Sequence, residues 1–246
     1  MQRDTARVPP TIVITRPEPQ ASTFAAALRQ AHGGPLDILI APLMKIESVD
    51  FPAPLTAPDH LIFTSANAVA QAAQLKITQK PLAWCVGQQT ADAAAQAGFA
   101  TRVAHGNSQD LVELIVAAAP TGHFLHLRGE HATGKIAEML TAHGIPCAEV
   151  VVYSQKQQAP PKALLTALQA GDGVIVPLFS PRSAQLLGES AKFGSNVSIV
   201  AISDAVARVA SRWPVIGVIT AESPDKKGMI VATLRVYDAQ TDPMMP

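Results

Sequence analysis

The stretch Leu61-Ile-Phe-Thr-Ser-Ala-Asn-Ala-Val69 comes twice in this chain; its second copy is Pro177-Leu-Phe-Ser-Pro-Arg-Ser-Ala184. Each is a short apolar run, then Phe, then a hydroxyl-rich turn, then an alanine-rich helical pattern. A strand feeding a Ser/Asn turn that opens a helix aims backbone N–H groups at whatever binds there. Taken singly, either turn is also an ordinary helix cap. The match extends downstream of both copies. Ser65 is followed 22 residues later by Gly87, in Val86-Gly-Gln-Gln-Thr-Ala91, and Ser180 is followed 23 residues later by Ser203, in Ile202-Ser-Asp-Ala-Val-Ala207. Next come Ser108-Gln-Asp110 and Ser223-Pro-Asp225, two helix-start signals. The set closes with Arg16-Pro-Glu18 and Arg128-Gly-Glu130, with Leu28 and Leu140 each 12 residues past their arginine. The chain therefore holds one repeated unit, circularly shifted: the first Arg-x-Glu element sits near the N-terminus, apart from the rest of its copy.

Around this repeat the strands and helices alternate. Apolar runs at Thr11–Thr15, Leu36–Ile40, Leu61–Phe63, Ala83–Val86, Thr101–Ala104, His123–Leu127, Glu149–Tyr153, Val174–Phe179, Ser198–Ile202 and Val215–Ile219 read as strands. Helical patterns over 20–31, 67–75, 109–119, 133–143, 162–169, 183–189, 204–211 and 225–237, and one ending at Gly98, lie between them. Single helices between strands, joined by short turns, imply parallel sheets with right-handed crossovers. Two stretches break the rhythm. Residues 41–58 carry four prolines, and Gln155–Pro161 ends in Pro-Pro; both read as connectors. Two connectors imply two chain crossings between two similar α/β domains of flavodoxin or Rossmann type. The expected boundaries are 11–40 with 156–237 for a discontinuous first domain and 56–151 for a continuous second one, with linkers at 41–55 and 152–162. The crossing strands Asp37–Ala41 and Glu149–Tyr153 occupy equivalent places in the two copies. Tails 1–10 and 238–246 are expected to be disordered. In open parallel sheets ligands sit beyond the carboxyl ends of the strands, where all the hydroxyl-rich turns lie. Two such rows would line a cleft between hinged domains.

The chain has 246 residues, of which 48% are hydrophobic and 15% charged, with a formal net charge of zero. A core of some size can be buried, and a broad nucleic-acid footprint, which needs a basic face, is disfavoured. Cys85 and Cys147 lie in apolar contexts without metal-ligand spacing and read as free thiols of a reducing cytosol. No apolar h-region opens the chain, and no run of about 18 apolar residues occurs, so the expected compartment is the cytoplasm. No Walker loop, dinucleotide fingerprint or Gly-x-Ser-x-Gly elbow can be written. His32 and His143 end helices and read as caps. Three arginines stand at strand ends: Arg16, Arg128 and Arg182. Arginine suits bidentate carboxylate capture; Arg16 and Arg128 are equally open to structural pairing with Glu18 and Glu130. Tyr153 breaks the repeat, since its counterpart is Ala41. It is either a packed linker side chain or a phenol aimed at the cleft.

Thr15-Arg-Pro-Glu-Pro-Gln20, Phe63-Thr-Ser-Ala-Asn-Ala-Val69, Val86-Gly-Gln-Gln-Thr-Ala91, Leu127-Arg-Gly-Glu130, Val152-Tyr153 and Phe179-Ser-Pro-Arg-Ser-Ala184, in this order, resemble the uroporphyrinogen-III synthase family over residues 11–236. The resemblance implies two α/β domains, one discontinuous, joined by a two-stranded ladder with the active-site cleft between them. It implies a cofactor-free cyclisation of hydroxymethylbilane, a linear tetrapyrrole with eight carboxylates, to uroporphyrinogen III with inversion of ring D and loss of water. The route runs through an azafulvene cation and a spiro intermediate. The implied partners are the substrate and, transiently, hydroxymethylbilane synthase; the implied state is a monomer with no metal. Residue by residue, Tyr153 matches the tyrosine that hydrogen-bonds the departing hydroxyl, and Thr90 matches the threonine of the Gly-x-x-Thr turn. Ser65 and Ser180 match binding serines. With them, Thr15, Arg16, Asn67, Gly87, Arg128, Gly129, Arg182, Ser183 and Ser203 complete the candidate substrate contacts. The second-copy turn departs from the family's Gly-Pro-x-Thr-Ala: Ser203 stands for the glycine and Val206 for the threonine, so a hydroxyl is missing at 206 and Ser203 is the candidate to supply it. Competing readings are a hinged two-domain protein that captures a small polycarboxylate without chemistry and, less favoured without a nucleophile, a hydrolase or transferase.

Overall fold

The computed structural model describes residues 8–51, 57–72, 80–104, 106–131 and 134–241. The chain divides into two compact units: residues up to Lys45 together with those from Gln157 onward, and Ile46–Lys156. Each is built on a parallel sheet covered by helices on both faces.

In the continuous unit, strands β4 (His60–Phe63), β5 (Leu82–Cys85), β6 (Thr101–Val103), β7 (Phe124–Gly129) and β8 (Cys147–Gln157) are joined by helices α2 (Ala66–Ala72), α3 (Gln88–Gln96), α4 (Ser108–Ala118) and α5 (Ile136–Ala142). Their order across the sheet is β6-β5-β4-β7-β8, all parallel. Alternate strand residues face opposite ways, as the pleat requires. Leu61, Phe63, Ala83, Leu125 and Leu127 pack under α2 and α3. Ile62, Trp84 and Phe124 pack under α4 and α5 with Leu111, Ile115 and Leu140. Helix α4 starts on a reciprocal cap in which the Asn107 side chain accepts from the Asp110 N–H and the Asp110 carboxylate accepts from the Asn107 N–H, satisfying two otherwise orphaned donors.

In the discontinuous unit, β1 (Thr11–Ile14), α1 (Gln20–His32) and β2 (Ile38–Ile40) come first. After the other unit come α6 (Lys162–Gln169), β9 (Val174–Leu178), α7 (Pro181–Ser190), β10 (Val197–Ala201), α8 (Asp204–Ala210), β11 (Gly217–Thr220) and α9 (Lys226–Thr241). The sheet order is β11-β10-β9-β1-β2, again parallel. Val13, Val174, Val176 and Ile199 face α6, α7 and α8; Ile12, Ile14, Ile175 and Val200 face α1 and α9.

The two sheets are one topology cut at different places. Numbered along the chain, the continuous unit reads 3-2-1-4-5 and the discontinuous one 5-4-3-1-2. Moving its first two strands to the end makes the second identical to the first. In each there is one place where the strand order reverses: between β4 and β7, and between β1 and β9. Such switch points are where open α/β sheets bind ligands.

Three expectations are corrected. Residues 41–58 do not form only an extended connector: Met44–Ser48 is a strand, β3, hydrogen-bonded to β8. As that segment advances from Leu43 to Val49 its partner falls back from Gln158 to Val152, so the pair is antiparallel. Met44-Lys-Ile-Glu-Ser48 has the alternation a strand needs, but Pro42 and Pro52 flank it and hide it. Likewise Gln155–Gln157 belong to β8, not to a connector. Finally, the expected C-terminal tail begins as helix: α9 continues to Thr241, with Tyr237 buried against His32 and the Gln240 amide donating to the Ser198 hydroxyl at 2.8 Å. Residues 242–246 lie outside the described residues. So do 1–7 of the N-terminal tail, whose Pro10 is buried.

Candidate functional site

At the β1/β9 switch point Thr15, almost fully buried, follows the last residue of β1, and the next residue is Arg16. Its guanidinium carbon lies 4.0 Å from the centroid of the Phe179 ring. Phe179 is itself held edge-on by Phe24 of α1, 4.9 Å away. Burial pulls the Arg16 pKa down to about 10, still charged at neutral pH. Burial is the cause of that shift. Glu18 accepts from the Ser22 N–H at 3.0 Å and the Ser22 hydroxyl at 2.8 Å. From β9, Ser180 caps α7, its oxygen accepting from the Ser183 N–H at 3.1 Å and sharing a hydrogen with the Ser183 hydroxyl at 2.8 Å. Pro181 at the first helical position suits a turn that has no partner for its N–H. Arg182 comes next, half-buried. One strand further out, Ser203 is the N-cap residue of α8, in extended conformation and with no side-chain cap bond. Val206 is fully buried in the core.

At the β4/β7 switch point Ser65 accepts from the Asn67 N–H at 3.2 Å, and both are half-buried. One strand out, Gly87 caps α3 in extended conformation, and a Cβ there would meet nothing within 4 Å; Ser203 is its counterpart. Thr90, at the third helical position, is nearly buried, as is its counterpart Val206. Arg128 does not pair with the Glu130 carboxylate. Its Nη2 donates to Glu149 of β8 at 2.9 Å, and its Nη1 to the carbonyls of Gly129 at 3.1 Å and Glu130 at 3.4 Å. Glu149 is invisible to a local reading because only the β7–β8 register brings it opposite His126. Tyr153 is buried and is the register partner of Gly129.

Each switch point thus gathers its own candidates: Thr15, Arg16, Ser180, Arg182 and Ser183 in one unit, Ser65, Asn67, Arg128 and Gly129 in the other, with Tyr153 beside Gly129 on the neighbouring strand β8. Gly87, Thr90 and Ser203 stand at the next strand along. Phe179 and Glu149 escaped the sequence reading as site residues; Phe179 lies inside the repeated stretch and is the one whose place it could have revealed. Among the described residues no group of three or more His, Cys, Asp or Glu could hold a metal ion. The thiols are unsuited to attack, since burial pushes Cys85 up to about 12 and Cys147 up to about 11. The arrangement offers cation, hydroxyl and turn N–H groups, which is an anion-holding chemistry.

Fold and turns together define a doubly wound α/β protein with two permuted copies of one ligand-binding topology. Residues 22–231 match the family model described as Uroporphyrinogen-III synthase HemD. The chain belongs to the uroporphyrinogen-III synthase family. It is 30% identical over 161 residues to a Chlorobaculum parvum protein named uroporphyrinogen-III synthase. That match covers 58% of this chain and 63% of the relative, so less than two thirds of the relative's length is spanned. Among solved structures it is similar in fold to uroporphyrinogen-III synthetase from Helicobacter pylori, with a TM-score of 0.65 at 18% identity over 92% of this chain and 99% of that one. A mutant uroporphyrinogen III synthase from Thermus thermophilus gives 0.51 at 17% identity, over 94% and 99%. Among the described residues no helix is long and apolar enough to cross a membrane.

Proposed function

We propose that this chain is a hydro-lyase that closes hydroxymethylbilane to uroporphyrinogen III, without a cofactor and with ring D inverted. The observation that carries the proposal is Arg16: a half-buried guanidinium, 4.0 Å from the centroid of the Phe179 ring at a switch point, whose pKa burial lowers. Such a group favours an incoming carboxylate, and the proposed substrate carries eight of them. The serines and turn N–H groups around Arg16 and Ser65 take others. Arginine, hydroxyls and N–H groups bind both ends of the reaction alike, so they bring about orientation rather than bond cleavage.

The chemistry asks little more. The pyrrole nitrogen pushes electrons to expel hydroxide from the terminal carbon, leaving an azafulvene cation. The phenol O–H of Tyr153 donates to the departing oxygen, and water leaves. Ring D attacks through its substituted α-carbon, and the spiro intermediate reopens and closes the other way round. The proton lost from the free α-carbon of the terminal pyrrole balances the one that left with the hydroxide. Closure without the protein gives the uninverted isomer I, so the protein's part is to impose the shape that selects the attacking carbon. We place this reaction in the cytoplasm, where free thiols such as Cys85 and Cys147 persist. The acting species is a monomer that meets hydroxymethylbilane synthase only in passing.

Steady-state turnover of two variants tests the roles. Tyr153→Phe is expected to fold normally and to lose much of the roughly 10²–10⁴ that general-acid help contributes. Thr90→Ala should lose less, since water can replace one binding hydroxyl among many. The isomer III fraction of the remaining enzymatic turnover should hold in both. Wild-type turnover by Tyr153→Phe would make the phenol a packing residue.

A further inference from the structure

We infer that Arg128, Gly129 and Glu149 are positioning residues, which aim the phenol of Tyr153 instead of holding substrate. The inference rests on the reading of Tyr153 as the proton donor. Its basis is a bulge. Arg128 pairs with Val151, but Gly129 pairs with Tyr153, so β8 carries one extra residue, Val152, at this point. Strict alternation would send Val152 and Tyr153 to opposite faces. Both instead join the cluster of Leu125 and Leu127. A bulge is a means of re-aiming a side chain, and here the side chain re-aimed is the proposed donor.

Three features keep it aimed. The first is the space at Gly129. A Cβ there would lie 2.6 Å from Tyr153 Cζ and 2.8 Å from its Oη, closer than side chains approach. The phenol end of the ring therefore rests on the bare α-carbon, and glycine in a strand marks such an approach. Next, the Glu130 N–H donates to the Tyr153 carbonyl at 3.0 Å, fixing the backbone on the far side of the bulge. The last is the arginine clamp. Arg128 Nη1 holds the Gly129 and Glu130 carbonyls, while Nη2 is anchored on Glu149 at 2.9 Å. One Nη is on a carboxylate and the other on two carbonyls, while Nε is buried with no hydrogen-bond partner among the described residues, so both ends of the guanidinium fork are engaged within the protein. Arg16, set against the Phe179 ring, has no such clamp on its guanidinium among the described residues and stays a candidate to meet substrate.

Kinetics of Glu149→Gln and Gly129→Ala, each made in the wild-type and in the Tyr153→Phe chain, test this. Single-turnover measurement keeps the slow backgrounds readable. Glu149→Gln keeps the shape of the anchor but drops its charge. It should lower kcat about tenfold with KM unchanged, a fraction of the roughly 10²-fold that a 1 Å misplacement can cost. Gly129→Ala should approach that larger figure. In the Tyr153→Phe chain, where no hydroxyl remains to aim, Glu149→Gln should cost nothing more. Equal losses in both backgrounds would mean general structural damage and overturn the inference, as would a raised KM with kcat intact, which would put Arg128 on the substrate. Unchanged kinetics for Glu149→Gln would overturn it too. If Tyr153→Phe alone keeps full turnover, the donor reading has failed and the inference falls with it. If Tyr153→Phe is slow but Glu149→Gln is not, only the inference fails.

Discussion

His126 is the residue that the proposed chemistry leaves unused and the fold must carry. It is fully buried, and among the described residues neither ring nitrogen has a hydrogen-bond partner. Glu149 lies 3.8 Å from Nδ1. Burial pulls the imidazole pKa down to about 4, with Glu149 raising it and Arg128 lowering it to a lesser degree. The imidazole is therefore neutral in the fold and binds a proton in the unfolded chain below about pH 6.5. Between those two values the unfolded state binds more protons, so stability falls as the pH falls. The full loss, reached below pH 4, is roughly 3 kcal/mol. Chemical denaturation from pH 7 to 4 should show that extra slope in the wild type, while His126→Phe should retain only the slope due to carboxylates. Identical slopes would mean that His126 is hydrated and titrates normally. At this scale the sequence was only partly legible. Arg16, Ser65 and Ser180 were visible because each belongs to a repeated stretch. The Arg128–Glu149 pair was not, because 21 residues separate its members and only strand register joins them. The aim of Tyr153 was hidden for the same reason: a bulge has no local sequence signal.

At the scale of elements, β9 holds an irregularity at the switch point. Val174 donates to Asn196 and Leu178 accepts from Ile202, both on the β10 side. Residues 175 and 177 therefore face β1. Thr11 donates to Gly173, and carrying that parallel ladder forward gives the Val13 carbonyl to the N–H of residue 177. Residue 177 is proline, which has none. The β1–β9 register pairs accordingly stop at Ile12 and Ile175. The two strands are tied less firmly where the order reverses and where Thr15 and Ser180 emerge. Pro177→Val supplies the missing donor in a buried site of similar volume. It should raise stability to chemical unfolding by about 1 kcal/mol, the net worth of one hydrogen bond. No gain, or a loss, would mean that the proline ring's packing outweighs the missing bond. Apart from β3, the strand and helix order was readable from alternation, and proline did not hide β9, because apolar residues flank it on both sides. The elements that escaped were those with one-sided support. β3 is short and flanked by prolines. The end of α9 is polar, and its support comes from the distant partners Ser198 and His32.

For the molecule as a whole, the circularly shifted repeat is the feature that sequence and structure share. Two sheets with the orders 3-2-1-4-5 and 5-4-3-1-2 are the same winding with a different starting strand, which the repeated Ser turns and the displaced Arg-x-Glu element already implied. Both windings have one reversal, and each reversal collects hydroxyls, turn N–H groups and arginine: Arg16 and Arg182 at one, Arg128 at the other. The sequence could not say which arginine is committed inside the fold. That depends on the neighbours each one acquires: an aromatic face for Arg16, a carboxylate and two carbonyls for Arg128. The central claim is that this scaffold selects which carbon of ring D attacks. The most direct measurement is to generate hydroxymethylbilane in the presence and absence of the purified chain, oxidise the products to porphyrins and resolve the isomers. Isomer III is expected to predominate with the chain and isomer I without it. The same isomer I product in both, even with tight binding of the bilane, would contradict the claim and leave a polycarboxylate-binding protein without catalysis.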